Sequence, residues 1–62
     1  MVVTQYGVPV DRVLYVNERL GIAKVSMRDH KGRTVERDYF LYELRADGGV
    51  DEIVQSAEKR SF

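Results

Sequence analysis

Glycine and proline interrupt this chain at Gly7-Val8-Pro9, Gly21, Gly32 and Gly48-Gly49. The stretches between these breaks are short and rich in Val, Ile, Tyr and Phe. Residues of that kind, bounded by turn formers, read as consecutive β-strands. Strands are expected over about 2–6, 12–17, 22–29 and 33–44, the last of them bent or interrupted. Pro9 has no N–H to give to a ladder, so it belongs in a turn, at a sheet edge or at the first residue of a strand.

The most explicit local signal is Asp29-His30-Lys31-Gly32, with Asp opening a turn and Gly closing it. That order suits a type I turn followed by a left-handed glycine, the three-residue hairpin loop. Asp29 then faces Arg33. Met27 faces Val35, Val25 faces Arg37 and Ala23 faces Tyr39, a mostly apolar set. On the other face Arg28 meets Thr34, Ser26 meets Glu36 and Lys24 meets Asp38, a polar set with one opposite-charge pair. Arg37 breaks the apolar set, and the expectation is a position at the sheet margin with its stem snorkelling, a bulge being the alternative. A slip of one residue would turn Lys24 and Arg28 toward the core.

Two other segments depart from simple alternation. Val13-Leu14-Tyr15-Val16 is apolar throughout, as in a strand covered on both faces or one at a barrel corner. Val50, Ile53, Val54 and Ala57 recur at helical spacing and predict a helix over about 50–60. Asp51 and Glu52 in its first turn and Lys59 and Arg60 in its last complement the helix dipole. Asp47 or Gly49 is the expected N-cap, and Phe62 is placed to close the far end. A helix this short is stable only when docked, on the sheet or on a partner molecule.

The fold class that follows is mainly β with a C-terminal helix, in a single small domain spanning 1–62. The architecture resembles the small SH3-like barrels. That resemblance implies four or five short antiparallel strands in two orthogonal sheets under the helix. An open three- or four-stranded antiparallel sheet with one helix packed across it is the alternative.

Composition narrows function mainly by exclusion. The chain has 62 residues and no Cys, which removes disulfide frameworks and Cys-based zinc sites. Apolar residues are 44%, enough for a small core but one with a thin margin, about 3–9 kcal/mol of stability at this length. Self-association is therefore an expected possibility. No apolar run is long enough to span a membrane, and the N-terminus lacks a basic stretch followed by an apolar one, so a cytoplasmic protein without membrane partners is expected. His30, the lone His, reads as a solvated turn residue. No phosphate loop, dinucleotide fingerprint, metal-ligand spacing or nucleophile–base pattern stands in the sequence, so neither catalysis nor a cofactor is expected.

Charge and aromatic residues carry what remains. Residues 19–37 hold six basic side chains against two acidic ones, whereas residues 38–58 hold six acidic against one basic. The chain is formally neutral, so this is a polarity and not a global attraction for nucleic acid. Most of Tyr6, Tyr15, Tyr39, Phe40, Tyr42 and Phe62 are expected in the core, with one or two Tyr left outside as a contact surface. The candidate binding residues are Lys24, Arg28, Lys31, Arg33 and Arg37 of the basic hairpin, together with Tyr42. The expected function is a small non-catalytic protein-binding or adaptor module, the partner being another protein or a second copy. A small nucleic-acid-binding barrel using the basic 19–37 hairpin is the alternative.

Overall fold

A computed structural model describes residues 1–61, with side chains through Lys59. In chain order the elements are β1 (Val2–Thr4), β2 (Arg12–Asn17), β3 (Ile22–Arg28), β4 (Thr34–Phe40), a 3-10 turn (Leu41–Glu43), β5 (Leu44–Ala46), α1 (Gly49–Ser56) and β6 (Lys59–Ser61). β1 and β5 form a two-stranded ribbon, and the other four strands form a sheet in the order β4-β3-β2-β6. Every pairing is antiparallel except that of β2 with β6. Among the described residues no ladder joins the two sheets; β1 instead carries a Val3–Pro9 bridge and accepts the Val10 N–H at the Val2 carbonyl (3.0 Å), both with the segment that leads into β2. The chain is mainly β with an open sheet and one helix, the alternative form of the expectation, and not a closed barrel. Among the described residues no helix is long and apolar enough to cross a membrane.

The β3–β4 hairpin follows the expected register from Arg28–Thr34 to Ile22–Phe40. Its loop is held by one side chain. Asp29 Oδ1 accepts the N–H groups of Lys31 and Arg33, both at 2.9 Å, and Gly32 at φ 80° closes the turn where a side chain would be strained. Arg37 is exposed on the edge strand β4, at the sheet margin. The long expected strand over 33–44 breaks after Phe40, where the Glu43 carboxylate accepts the Phe40 N–H (2.9 Å) and a 3-10 turn redirects the chain onto β1. β1 itself ends at Thr4. Its buried Oγ1 accepts the N–H groups of Tyr6 (3.3 Å) and Val8 (3.2 Å), turning the chain before the expected end at Tyr6.

The unbroken apolar run in β2 has a different cause from either expected one. A β-bulge at Leu14 lets Val13 pair with Val25 and Tyr15 with Lys24. The extra residue shifts the phase of the strand, so Val13 and Val16, three apart, both point inward and are buried, while Tyr15 turns out.

The tail also differs from the expectation. The helix stops at Ser56, Ala57 adopts an extended conformation, and Lys59–Ser61 joins β2 as the parallel strand β6. A hydrogen bond from the Glu58 N–H to the Val13 carbonyl (3.1 Å) leads into that pairing. Pairing satisfies backbone groups of β2 that would otherwise form a bare edge, a gain a further helical turn could not supply. Lys59 and Arg60 are thus strand residues. The N-cap is Gly48, not Asp47 or Gly49, and its N–H is accepted by Glu52 Oε1 at 2.8 Å. The other Glu52 oxygen accepts from the Met1 ammonium (3.1 Å), and the two donors hold the carboxyl below its usual range. Val50 is exposed, so the docking stripe narrows to Ile53 and Val54, with Ala57 partly buried beyond them. Phe62 lies outside the described residues.

The buried core is Val2, Val13, Val16, Ala23, Val25, Met27, Leu44, Ile53 and Val54, drawn from both sheets and the helix. Among the described residues no buried side-chain polar atom lacks a partner.

Two outcomes follow from this packing. Ile53→Asp places an unpaired charge at a site only 1% exposed and should cost about 3 kcal/mol or more, whereas Gln55→Asp on the exposed face should cost under about 0.5 kcal/mol. Urea melts that give the two variants the same midpoint would contradict the docking of α1. Gly32→Val should lower the melting temperature clearly more than His30→Ala, because only the first forces a β-branched residue to positive φ.

Candidate functional site

The β3–β4 register that buries Ala23, Val25 and Met27 necessarily turns the even-numbered residues of both strands outward. With β2 they form three cross-strand rows on the outer face of the sheet. These are Arg12, Ser26 and Glu36; then Tyr15, Lys24 and Asp38; then Asn17, Ile22 and Phe40. Lys59 of β6 lies beside Tyr15. A shallow groove of about 300 Å³ is lined by Tyr15, Ile22, Lys24 and Asp38. A smaller depression of about 100 Å³ continues it along Ile22, Asp38, Tyr39, Phe40 and Glu43.

At the end of this groove Tyr42 stacks on Phe40, with ring centroids 5.3 Å apart and planes within 7°. The 3-10 turn positions it. Glu43 fixes the Phe40 N–H, and the Arg45 guanidinium donates to the carbonyls of Tyr42 and Leu44. Stacking two rings in water hides one face of each and leaves the outer faces open to a further apolar group.

The expectation that most aromatic rings fill the core is overturned. Tyr6, Tyr15, Phe40 and Tyr42 are all exposed, with Phe40 at 48% and Tyr42 at 69%. Tyr39 alone among the described aromatics packs against the core, its hydroxyl 3.5 Å from the Met27 sulfur. The inner space is filled instead by aliphatic residues, chiefly valine, whose compact side chains suit the gap between a short helix and a small sheet. Phe40 and Ile22 thus join the surface although they were not singled out beforehand. The signal was available: their place in the hairpin register gives them the same facing as Lys24 and Asp38.

The expected basic residues do not form one patch. Lys24 lines the groove. Although it faces Asp38 in register, no ion pair joins the two among the described residues, contrary to the expectation that Asp38 occupies it. Both are exposed, where an ion pair gains little over hydration. Arg28 lies about 13 Å further along β3 at the strand rise. It bonds Asp11 (3.3 Å) and the Gly32 carbonyl (3.0 Å). Arg33 is paired with Asp29 at 3.3 Å. Lys31 is exposed at the turn tip, and Arg37 points from the opposite side of the edge strand. Of the six candidates, Lys24 and Tyr42 border the groove region, while Arg28, Lys31 and Arg33 gather at the far end of the hairpin.

Neither protein-family models nor curated proteins nor solved structures show a match to this chain.

The turn carries a pH dependence. The backbone N–H of Arg33 is the main cause holding the Asp29 carboxyl below its ordinary value, with the Lys31 N–H and the Arg33 side chain adding to it. A carboxyl lowered by folding stabilises the fold above its unfolded value, and that contribution is lost as pH falls through the folded one. The amides of Lys31 and Arg33 should therefore loosen together only as pH falls below the ordinary aspartate range. Hydrogen exchange of those two amides measures it, and Asp29→Asn should remove the transition.

Proposed function

We propose that this chain is a non-catalytic protein-binding module that receives a partner on the outer face of its four-stranded sheet. The observation that carries this reading is the exposed, preorganised Phe40–Tyr42 stack at the end of a groove bordered by Tyr15 and Ile22. A small domain gains by burying such rings, and this one keeps them outside while Val and Ile make its core. Tyr and Phe are enriched where proteins meet, because a rigid ring buries a large area at little entropic cost. Lys24 and Asp38, one of each sign and free of each other, rim the groove and would set the orientation of the partner.

Nucleic acid is the second reading, since a stacked aromatic pair near a lysine is also how single strands are held. It is disfavoured by Glu36 and Asp38 on the same face and by the commitment of Arg28 and Arg33 to Asp11 and Asp29. A phosphate backbone would meet carboxylates where it needs cations.

The test compares proteins retained from a lysate of the source cells by the immobilised chain and by two folded variants. Phe40→Ser with Tyr42→Ser should weaken retention at least about tenfold, and Tyr6→Ser, on another exposed Tyr, should leave it unchanged. Equal retention by all three forms contradicts the reading. So does oligonucleotide binding at about 50 mM salt that is micromolar or tighter and is lost with Lys24→Glu.

A further inference from the structure

The free edge of β4 has a defined polarity of backbone groups. At one end of the hairpin the Asp29 N–H bonds the Arg33 carbonyl (2.9 Å), and at the other the Leu41 N–H bonds the Gly21 carbonyl (2.8 Å). Bonded and non-bonded pairs alternate along an antiparallel ladder. The two anchors agree that Val35, Arg37 and Tyr39 direct their N–H and C=O groups to β3. Thr34, Glu36, Asp38 and Phe40 therefore direct theirs away from it. Among the described residues no strand pairs with that side of β4, and the Phe40 N–H alone is taken, by Glu43. The residues with free backbone groups are the same ones whose side chains line the outer face beside the groove.

An open edge invites a second copy, and the charges of this edge oppose one. Two copies of β4 paired antiparallel about a two-fold axis must be centred on a residue, because opposed side chains share a face, and pairing more than half of the seven-residue strand restricts the centre to Glu36, Arg37 or Asp38. Centring on Arg37 sets Arg37 against its own copy and Glu36 against Asp38 twice. Centring on Glu36 or on Asp38 sets a carboxylate against itself. Each of these registers places like charges directly opposite, which destabilises a cross-strand pair. What the edge complements is a strand of different composition: basic where it meets Glu36 and Asp38, acidic where it meets Arg37, and apolar beside Phe40.

We propose that the β4 edge takes an extended segment of a partner protein as an added strand, with basic residues at alternate positions facing Glu36 and Asp38 and an apolar residue against Phe40. The main chain supplies affinity and the alternating side chains supply selectivity. This rests on the protein-binding reading above and specifies where the partner enters and what it carries.

The test uses three blocked synthetic peptides and the amide spectrum of the whole chain. The first is Thr-Val-Thr-Lys-Glu-Lys-Thr; the second exchanges its charges, Thr-Val-Thr-Glu-Lys-Glu-Thr; the third is the first with both Lys amides N-methylated. The first should slow hydrogen exchange at the amides of Glu36 and Asp38 and bind roughly tenfold more tightly than the second. The third should not bind, since its methyl groups occupy the hydrogen-bonding edge. In the double variant Glu36→Lys with Asp38→Lys, on exposed edge positions that leave the core intact, the preference between the first two peptides should reverse. Equal affinity for both charge patterns, unreversed preference, or no binding by about 1 mM overturns the proposal. Shifts confined to Tyr15, Ile22 and Tyr42, with no slowed exchange on β4, also overturn it while leaving the sheet face as the docking surface. Loss of the face reading shows separately, as retention that ignores the Phe40 and Tyr42 substitutions.

Discussion

The antiparallel pairing of β3 with β4 decides which side chains make the core and which meet water. It is clamped at both ends, by the Asp29 carboxylate across the turn and by the Leu41 N–H on the Gly21 carbonyl. Because strand side chains alternate with a period of two, the clamp sets the facing of every residue from Ile22 to Phe40 at once. β2 then has to match β3 on its other side. The bulge at Leu14 is what lets two inward valines spaced three apart satisfy that match. The ribbon, the helix and β6 are placed on a surface already defined by this hairpin and its neighbour.

How far the sequence disclosed this arrangement depended on whether the controlling interaction was local. The hairpin was legible down to its pairs, since Asp29 and Gly32 lie within the turn they determine. The bulge was not, because a run such as Val13–Val16 carries no mark separating a doubly covered strand from a phase shift; only the partner strand decides. The end of the helix was misread for a related reason. Lys59 and Arg60 suit the last turn of a helix by local electrostatics, but the open edge of β2, more than forty residues earlier, offers backbone hydrogen bonds that win. The candidate surface was half legible. Tyr42 and Lys24 were singled out, and Phe40 and Ile22 were missed by assuming that large rings must fill a small core although the hairpin register already faced them outward.

Where charges sit matters more here than how many there are. Two of the six cations in residues 19–37 are paired, Arg28 with Asp11 and Arg33 with Asp29. These exposed pairs add little stability, but they remove two cations from the surface a partner would meet. Lys24 and Lys59 share the outer sheet face with the carboxylates of Glu36 and Asp38, around an apolar groove.

The order of pairings also implies an order of assembly. β2, β3 and β4 form a meander whose contacts close short loops, whereas β1 with β5 and β2 with β6 join segments some forty residues apart. Contacts between near neighbours in sequence incur less loop-closure entropy, so the meander is the natural nucleus and the two long-range pairings seal it afterwards. Each seal is only three residues long. Reversed in time, the same hierarchy gives a molecule that frays from its ends inward. The first segments to exchange with solvent are the ribbon and β6, while the sheet face bearing Phe40 and the β4 edge belongs to the part that opens last. The recognition surface thus rides on the most durable unit of the fold, and excursions of the termini need not disturb it.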